Sequence, residues 1–134
     1  MLELREQICI HVKKSISHKQ YSDELSFPIP DKSVKRIKSI LHFDMQDYQC
    51  IIRSHDVRHV HRGHPDDVEY ICEIPEIIQK FHKVNKSITR DKKTGATLVN
   101  LEFYKNYSNN TVKLVKLKIH RDKRLELKTI FIQD

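Results

Sequence analysis

Leu4, Ile8, Val12 and Ile16 recur every four positions, which lines them up on one face of a first helix. The stretch SFPIPDKSVKRIKSILHF then reads as a proline-bounded connector followed by a second helix, capped at Asp31, with Val34, Ile37, Ile40 and Leu41 turned inward. YQCIIR, residues 48–53, reads as a short strand or buried segment. Ser54 stands where a cap is wanted for a third helix, and Gly63 suits the left-handed position just past its end. VEYICEIPEIIQKF predicts two short helical turns around Pro75, with Ile71, Ile74, Ile77, Ile78 and Phe81 on their apolar side.

Beyond Val84 the period changes to two. KSITR, TLVNLEFYKN, TVKLVKLKIH and RLELKTIFIQ, separated by DKKTG, YSNN and RDK, predict four strands in an antiparallel meander. In the third of these, Val115, Leu117 and Ile119 share one face, and Lys116, Lys118 and His120 share the other. Thr129 falls on one strand face with Leu125, Leu127 and Phe131, where it can also serve as a core threonine. Helices first and strands afterwards define an α+β layout: N-terminal helices packed on a roughly four-stranded antiparallel sheet with one greasy and one basic face. Residues 1–45 form a helical segment and residues 46–134 the sheet-bearing part of one compact unit, an expected size for a chain of 134 residues.

Charge adds a direction to that picture. The chain carries +7, but residues 80–128 hold 14 Lys and Arg against 4 acids, so the C-terminal half owns the positive field. Such a face attracts polyanions, nucleic acid first, unless the lysines are simply the solvated side of the sheet. Cys9, Cys50 and Cys72 are odd in number and widely spaced, without a CxxC pair, and are expected to be reduced, partly buried thiols of a cytoplasmic protein. No apolar run approaches the ~18 to 20 residues of a membrane span, and MLELREQICI is a poor signal peptide, so no membrane partner is expected.

The segment SHDVRHVHRGH, residues 54–64, concentrates four of the nine histidines. They can be exposed or capping groups, favoured by the dipole at a helix C-terminus. His55 and His59 form an HxxxH pair that could hold zinc, with Cys72 or Asp66 as a third ligand, but no HExxH glutamate lies between them and no metal or other cofactor is expected. Two imidazoles beside a basic sheet also supply the parts for metal-independent RNA cleavage. One takes the proton of a ribose 2′-OH, the other protonates the departing 5′-oxygen, and Lys, Arg or hydroxyl donors hold the phosphorane charge.

VRHVHRGH, followed by PDDVEYICEIPEIIQKF, a strand pair and LELKTIFI, resembles the phage- and mobile-element-associated members of the Barnase–EndoU–colicin–RelE (BECR) group of nucleases. The likeness covers about residues 50–134; the order Gly63, His64, Pro65 departs from the group's His followed by Gly. The resemblance implies a toxin-like RNA endonuclease that leaves a 2′,3′-cyclic phosphate without a metal. His59, His64 and Thr129 would be its catalytic groups, and Arg58, Arg62, Lys113, Lys116 and Lys118 would be its RNA-binding groups. RNA, with tRNA as a candidate, and a cognate immunity protein or antitoxin are the implied partners. A nucleic-acid-binding module of a mobile-element protein, without catalysis, is the alternative.

Overall fold

The four-residue spacing becomes helix where it predicts one. In the computed structural model, which describes residues 2–133, α1 spans Leu4–Ser17 and buries Ile8 and Val12, with Leu4 and Ile16 packed against the same core. Helix α2 spans Asp31–Leu41 and buries Ile37, while Val34 and Leu41 pack at its flanks. Ile40, expected inward, is 48 % exposed, because the stripe of α2 that meets the core is narrower than four apolar positions. Asp31 makes no capping hydrogen bond; it lies in the first turn, where a carboxylate suits the helix dipole.

Helix α3, Ser54–Gly63, turns Val57 and Val60 inward. A 3-10 helix over Val68–Glu73 leads directly into α4, Ile74–Lys80, whose first turn accommodates Pro75 because its N–H would be unpaired there anyway. Ile71, Ile74, Ile77, Ile78 and Phe81 are all buried. Two local expectations at α3 fail. Ser54 does not cap the helix; its Oγ accepts the Asp23 N–H at 2.9 Å and donates to the Asp23 carbonyl at 3.1 Å. Gly63 is not left-handed either. It is the last residue of α3, and His64 ends the helix at φ −139°.

The sheet has six strands, not four: β1 (Glu24–Pro28), β2 (Gln49–Arg53), β3 (Lys83–Arg90), β4 (Thr97–Asn106), β5 (Thr111–Ile119) and β6 (Arg124–Gln133), in the order β1-β2-β6-β5-β4-β3. The expected meander is β3 to β6, all antiparallel. β2 then joins β6 in parallel and carries β1 antiparallel on its outer side, so the sheet is mixed. β1 overlaps the stretch read as a connector, which holds its last three residues, 26–28; Pro28 is compatible with a strand there because β1 is an edge, where a missing N–H breaks no ladder.

All four helices contribute to one core on one face of this sheet, with α2 beside β3, α4 against β4 and α3 against β6. Residues 1–45 and 46–134 share that core, as Ile8, Phe27 and Ile37 pack in one cluster with Ile52, Phe103 and Leu114. The strand pairing decides which side chains enter it. Leu101 faces Lys116, Phe103 faces Leu114, and Leu114 faces Ile130 in register, so Lys116 lies on the helix-covered face with the leucines. The expected faces of β5 are therefore exchanged: Val112 and Leu114 set the phase, and Lys116 follows them inward.

Cys9 and Cys72 are joined in a disulfide, their Cα atoms 5.2 Å apart, between α1 and the 3-10 helix. The expectation of three reduced thiols is thus corrected, and the argument for a cytoplasmic location that leaned on it lapses. Packing of α1 against the 3-10 helix brings together residues 63 positions apart in sequence. Cys50 remains free and buried, and burial pushes its thiol pKa up. Among the described residues no helix is long and apolar enough to cross a membrane.

Candidate nucleic-acid site on the open sheet face

A β-bulge builds the site. Lys116 pairs with Leu127 and Val115 with Thr129, which leaves Lys128 as the extra residue of β6. A bulge re-aims side chains. Leu125, Leu127 and Ile130 stay in the core, whereas Thr129 and Phe131 pass to the face that the helices do not cover, opposite Val115 and Lys113. Thr129 is therefore not a core threonine beside Leu127. Without the bulge it would be.

Lys128 lies over the same open face. Its Nζ donates to Asn100 Oδ1 at 3.3 Å and Thr89 Oγ1 at 3.4 Å. Asn100, 1 % exposed, in turn donates to Thr89 at 3.2 Å and Ser87 at 3.5 Å. The Lys128 ammonium is thus held by neutral oxygens and forms no ion pair among the described residues. Its charge is available to an anion.

Beside Lys128 opens a cleft of about 240 Å³, lined by Arg53, His55, Asp56, His59, Leu117, Glu126, Leu127 and Lys128. His55 and His59 are exposed and one helical turn apart, so their Cβ atoms are roughly 5–6 Å from each other. The floor of the cleft is a charge network. Arg53 binds both oxygens of Asp56, at 2.9 and 3.0 Å, and reaches Glu126 at 3.3 Å. Arg124 holds Glu126 at 2.9 Å and Glu24 at 2.6 Å. Hydrogen bonding to Arg124 keeps the Glu24 carboxyl below its usual pKa, and hydrogen bonding to Asp56 raises the Arg53 guanidinium.

His64 borders the same face further along β6. Its ring stacks on Phe131 with centroids 4.8 Å apart and planes 14° from parallel, while the Lys113 ammonium lies 5.9 Å from the Phe131 ring centre and 5.5 Å from that of Tyr104. The Asp67 N–H donates to the His64 carbonyl, and Asp67 Oδ2 accepts the Ile132 N–H, which fixes this loop to β6. His59 shares the cleft with Lys128, whereas His64 stacks on Phe131, three residues further along β6 and about 10 Å away along a strand. Thr129, Phe131 and Lys113 thus share the open face and His64 stacks at its border, whereas the imidazole that shares a cleft with His59 is His55.

Three of the expected RNA-binding residues lie elsewhere. Lys116 is 0 % exposed, and its Nζ has no hydrogen-bond partner among the described residues; a phosphate cannot touch it in this conformation. Lys118, half-buried on the helix side, sits over the rings of Phe43 and Tyr48, at 5.1 and 5.6 Å. Arg58 donates from Nε to the Ser15 carbonyl at 2.8 Å and from Nη2 to the carbonyls of His18 and Tyr21, so it satisfies orphan carbonyls where α1 ends. Arg58→Ala is accordingly expected to lower stability by roughly 2–3 kcal/mol, seen as a shifted denaturant midpoint, with RNA affinity unchanged. An equal loss of RNA affinity at full stability would return Arg58 to the binding surface. Arg62 is exposed in the last turn of α3.

Lys128 and Asn100 were not among the residues expected at the site, and His55 was considered only as a zinc ligand paired with His59. The signal for Lys128 was its place directly before Thr129, but only the bulge shows that both can share one face. Comparison of the chain with known protein families, with curated proteins and with solved structures finds no match.

Proposed function

We propose that this chain is an RNA endonuclease whose acid and base are imidazoles and which therefore needs no metal for proton transfer. The observation that carries it is the cleft in which His55 and His59 stand next to Lys128, an ammonium held only by neutral oxygens. One imidazole removes the proton from a ribose 2′-OH, whose oxygen attacks the adjacent phosphorus to form the 2′,3′-cyclic phosphate. The other imidazole protonates the 5′-oxygen as the P–O bond breaks. Lys128 faces the non-bridging oxygens as their charge grows, and the Thr129 hydroxyl, its neighbour at the bulge, is a further donor. Support comes from the chemistry of the cleft alone, since the comparisons supply no relative.

Incubation with tRNA in EDTA tests this reading: products ending in a cyclic phosphate are expected. Intact RNA at saturating protein would leave the second reading, a binding module without catalysis. That reading is favoured by the His64–Phe131 stack with Lys113 beside it, since aromatic platforms and cations hold single strands without reacting with them. Both readings expect RNA affinity to fall steeply with salt, the logarithm of the binding constant losing about 0.7 per neutralised phosphate for each decade of salt. Affinity that ignores salt in an anisotropy titration would remove the electrostatic basis of both.

A further inference from the structure

The two edges of the sheet are unlike. β1 is five residues long and ends in Pro28, so it offers a poor template for another strand. β3, at the other edge, is eight residues long and pairs with β4 over its whole length, from Lys83 opposite Tyr104 to Arg90 opposite Thr97. Among the described residues no hydrogen bond from another element reaches the backbone of residues 83–90 on its outer side. An open edge of this length presents a row of unpaired N–H and C=O groups, which is what an incoming extended segment needs.

Charge determines which segment fits. Residues 83–93 hold five Lys and Arg, at positions 83, 86, 90, 92 and 93, against the single acid Asp91, and Lys83, Lys86, Arg90, Lys92 and Lys93 are all exposed. A second copy of β3 would set bases against bases, which is unfavourable for directly opposed cross-strand pairs, while a strand bearing carboxylates would meet them favourably. An apolar seat lies on the same edge. Ile88 is 65 % exposed, the most exposed large hydrophobic residue described, and pairs with half-buried Val99 on the helix side of the sheet. There the helices no longer cover it.

We infer that β3 is a docking edge for an acidic, extended segment of a partner protein, which adds to the sheet as a seventh strand with its apolar side chains against Ile88 and Val99. The inference stands on the edge and its charge and is independent of RNA cleavage.

The probe is an acetylated eight-residue peptide in which every second residue runs Glu, Val, Glu, Val with Thr between, matched to the length of β3, so that its carboxylates and apolar side chains lie together on the face of Lys86, Ile88 and Arg90. Its controls are the same peptide with every second amide N-methylated and a single-stranded oligonucleotide. With the Glu peptide, the outward amides of residues 83–90 are expected to exchange roughly tenfold more slowly. The Lys86→Glu, Arg90→Glu double variant, altered only at exposed positions, is expected to bind the peptide about tenfold more weakly. N-methylation should abolish the protection. No slowing of exchange at 83–90, equal binding by the N-methylated peptide, or the same amide protection from the oligonucleotide would each overturn the docking edge.

Discussion

His59→Ala is expected to cost about 10² to 10⁴ in the rate of RNA cleavage while leaving RNA affinity nearly unchanged, because a proton-transfer group acts on the transition state more than on the bound substrate. His55→Ala should cost a similar factor, since the two imidazoles share one cleft beside Lys128. Replacing both should cost little more than the worse single change, as acid and base serve one bond rearrangement. The rate should pass through a maximum with pH, because one imidazole must be neutral when the other is charged. His64→Ala is expected to behave differently. Its ring lies on Phe131, further along β6, so its loss should weaken binding and spare turnover. Single-turnover cleavage alongside anisotropy separates these effects. A double His55, His59 variant that cleaves at full speed would end the imidazole mechanism and leave the stacking face as a binding surface.

Lys116→Met is expected to make the protein more stable by about 1 to 3 kcal/mol, the range in which a buried polar group without a hydrogen bond is costly. Lys116 is fully buried and its Nζ has no partner among the described residues, while Met keeps the length of the side chain and adapts to irregular space. Burial holds the Lys116 pKa below its ordinary 10.5, with Cys50, Asp56 and Glu126 opposing that shift less strongly. The sign of the pH effect follows. Between the lowered folded value and 10.5 the unfolded chain holds a proton that the folded chain lacks, so wild-type stability rises with pH across that window. Below the folded value the cost is complete. The advantage of the Met variant should therefore be greatest below that window and shrink as pH approaches 10.5. Denaturant midpoints at several pH values measure it. A Met variant that is less stable at every pH would show that the Lys116 ammonium finds a partner in solution.

Local pattern determined the helices and the meander. Ile8 and Val12, Ile71 through Phe81, and the alternation in β3 to β6 depend on periods of 3.6 and 2, and a period is written in neighbouring residues. The clustering of histidines next to a basic half was equally visible in the sequence. What the chain could not show locally is phase. β5 carries apolar residues on both faces, Val112 and Leu114 on one, Val115 and Leu117 on the other, so its sequence alone does not decide whether Lys116 faces water or the core. Pairing with Leu101 and Leu127 decides it, and those contacts cross strands. The bulge at Lys128 is likewise a disagreement between the registers of two strands and belongs to neither. It moves Thr129 and Phe131 to the open face and brings Lys128 beside the cleft of His55 and His59. The parallel seam of β2 on β6, the Cys9–Cys72 disulfide and the capture of α1's last carbonyls by Arg58 have the same origin. Each joins residues forty or more positions apart, where only the packed chain determines who meets whom.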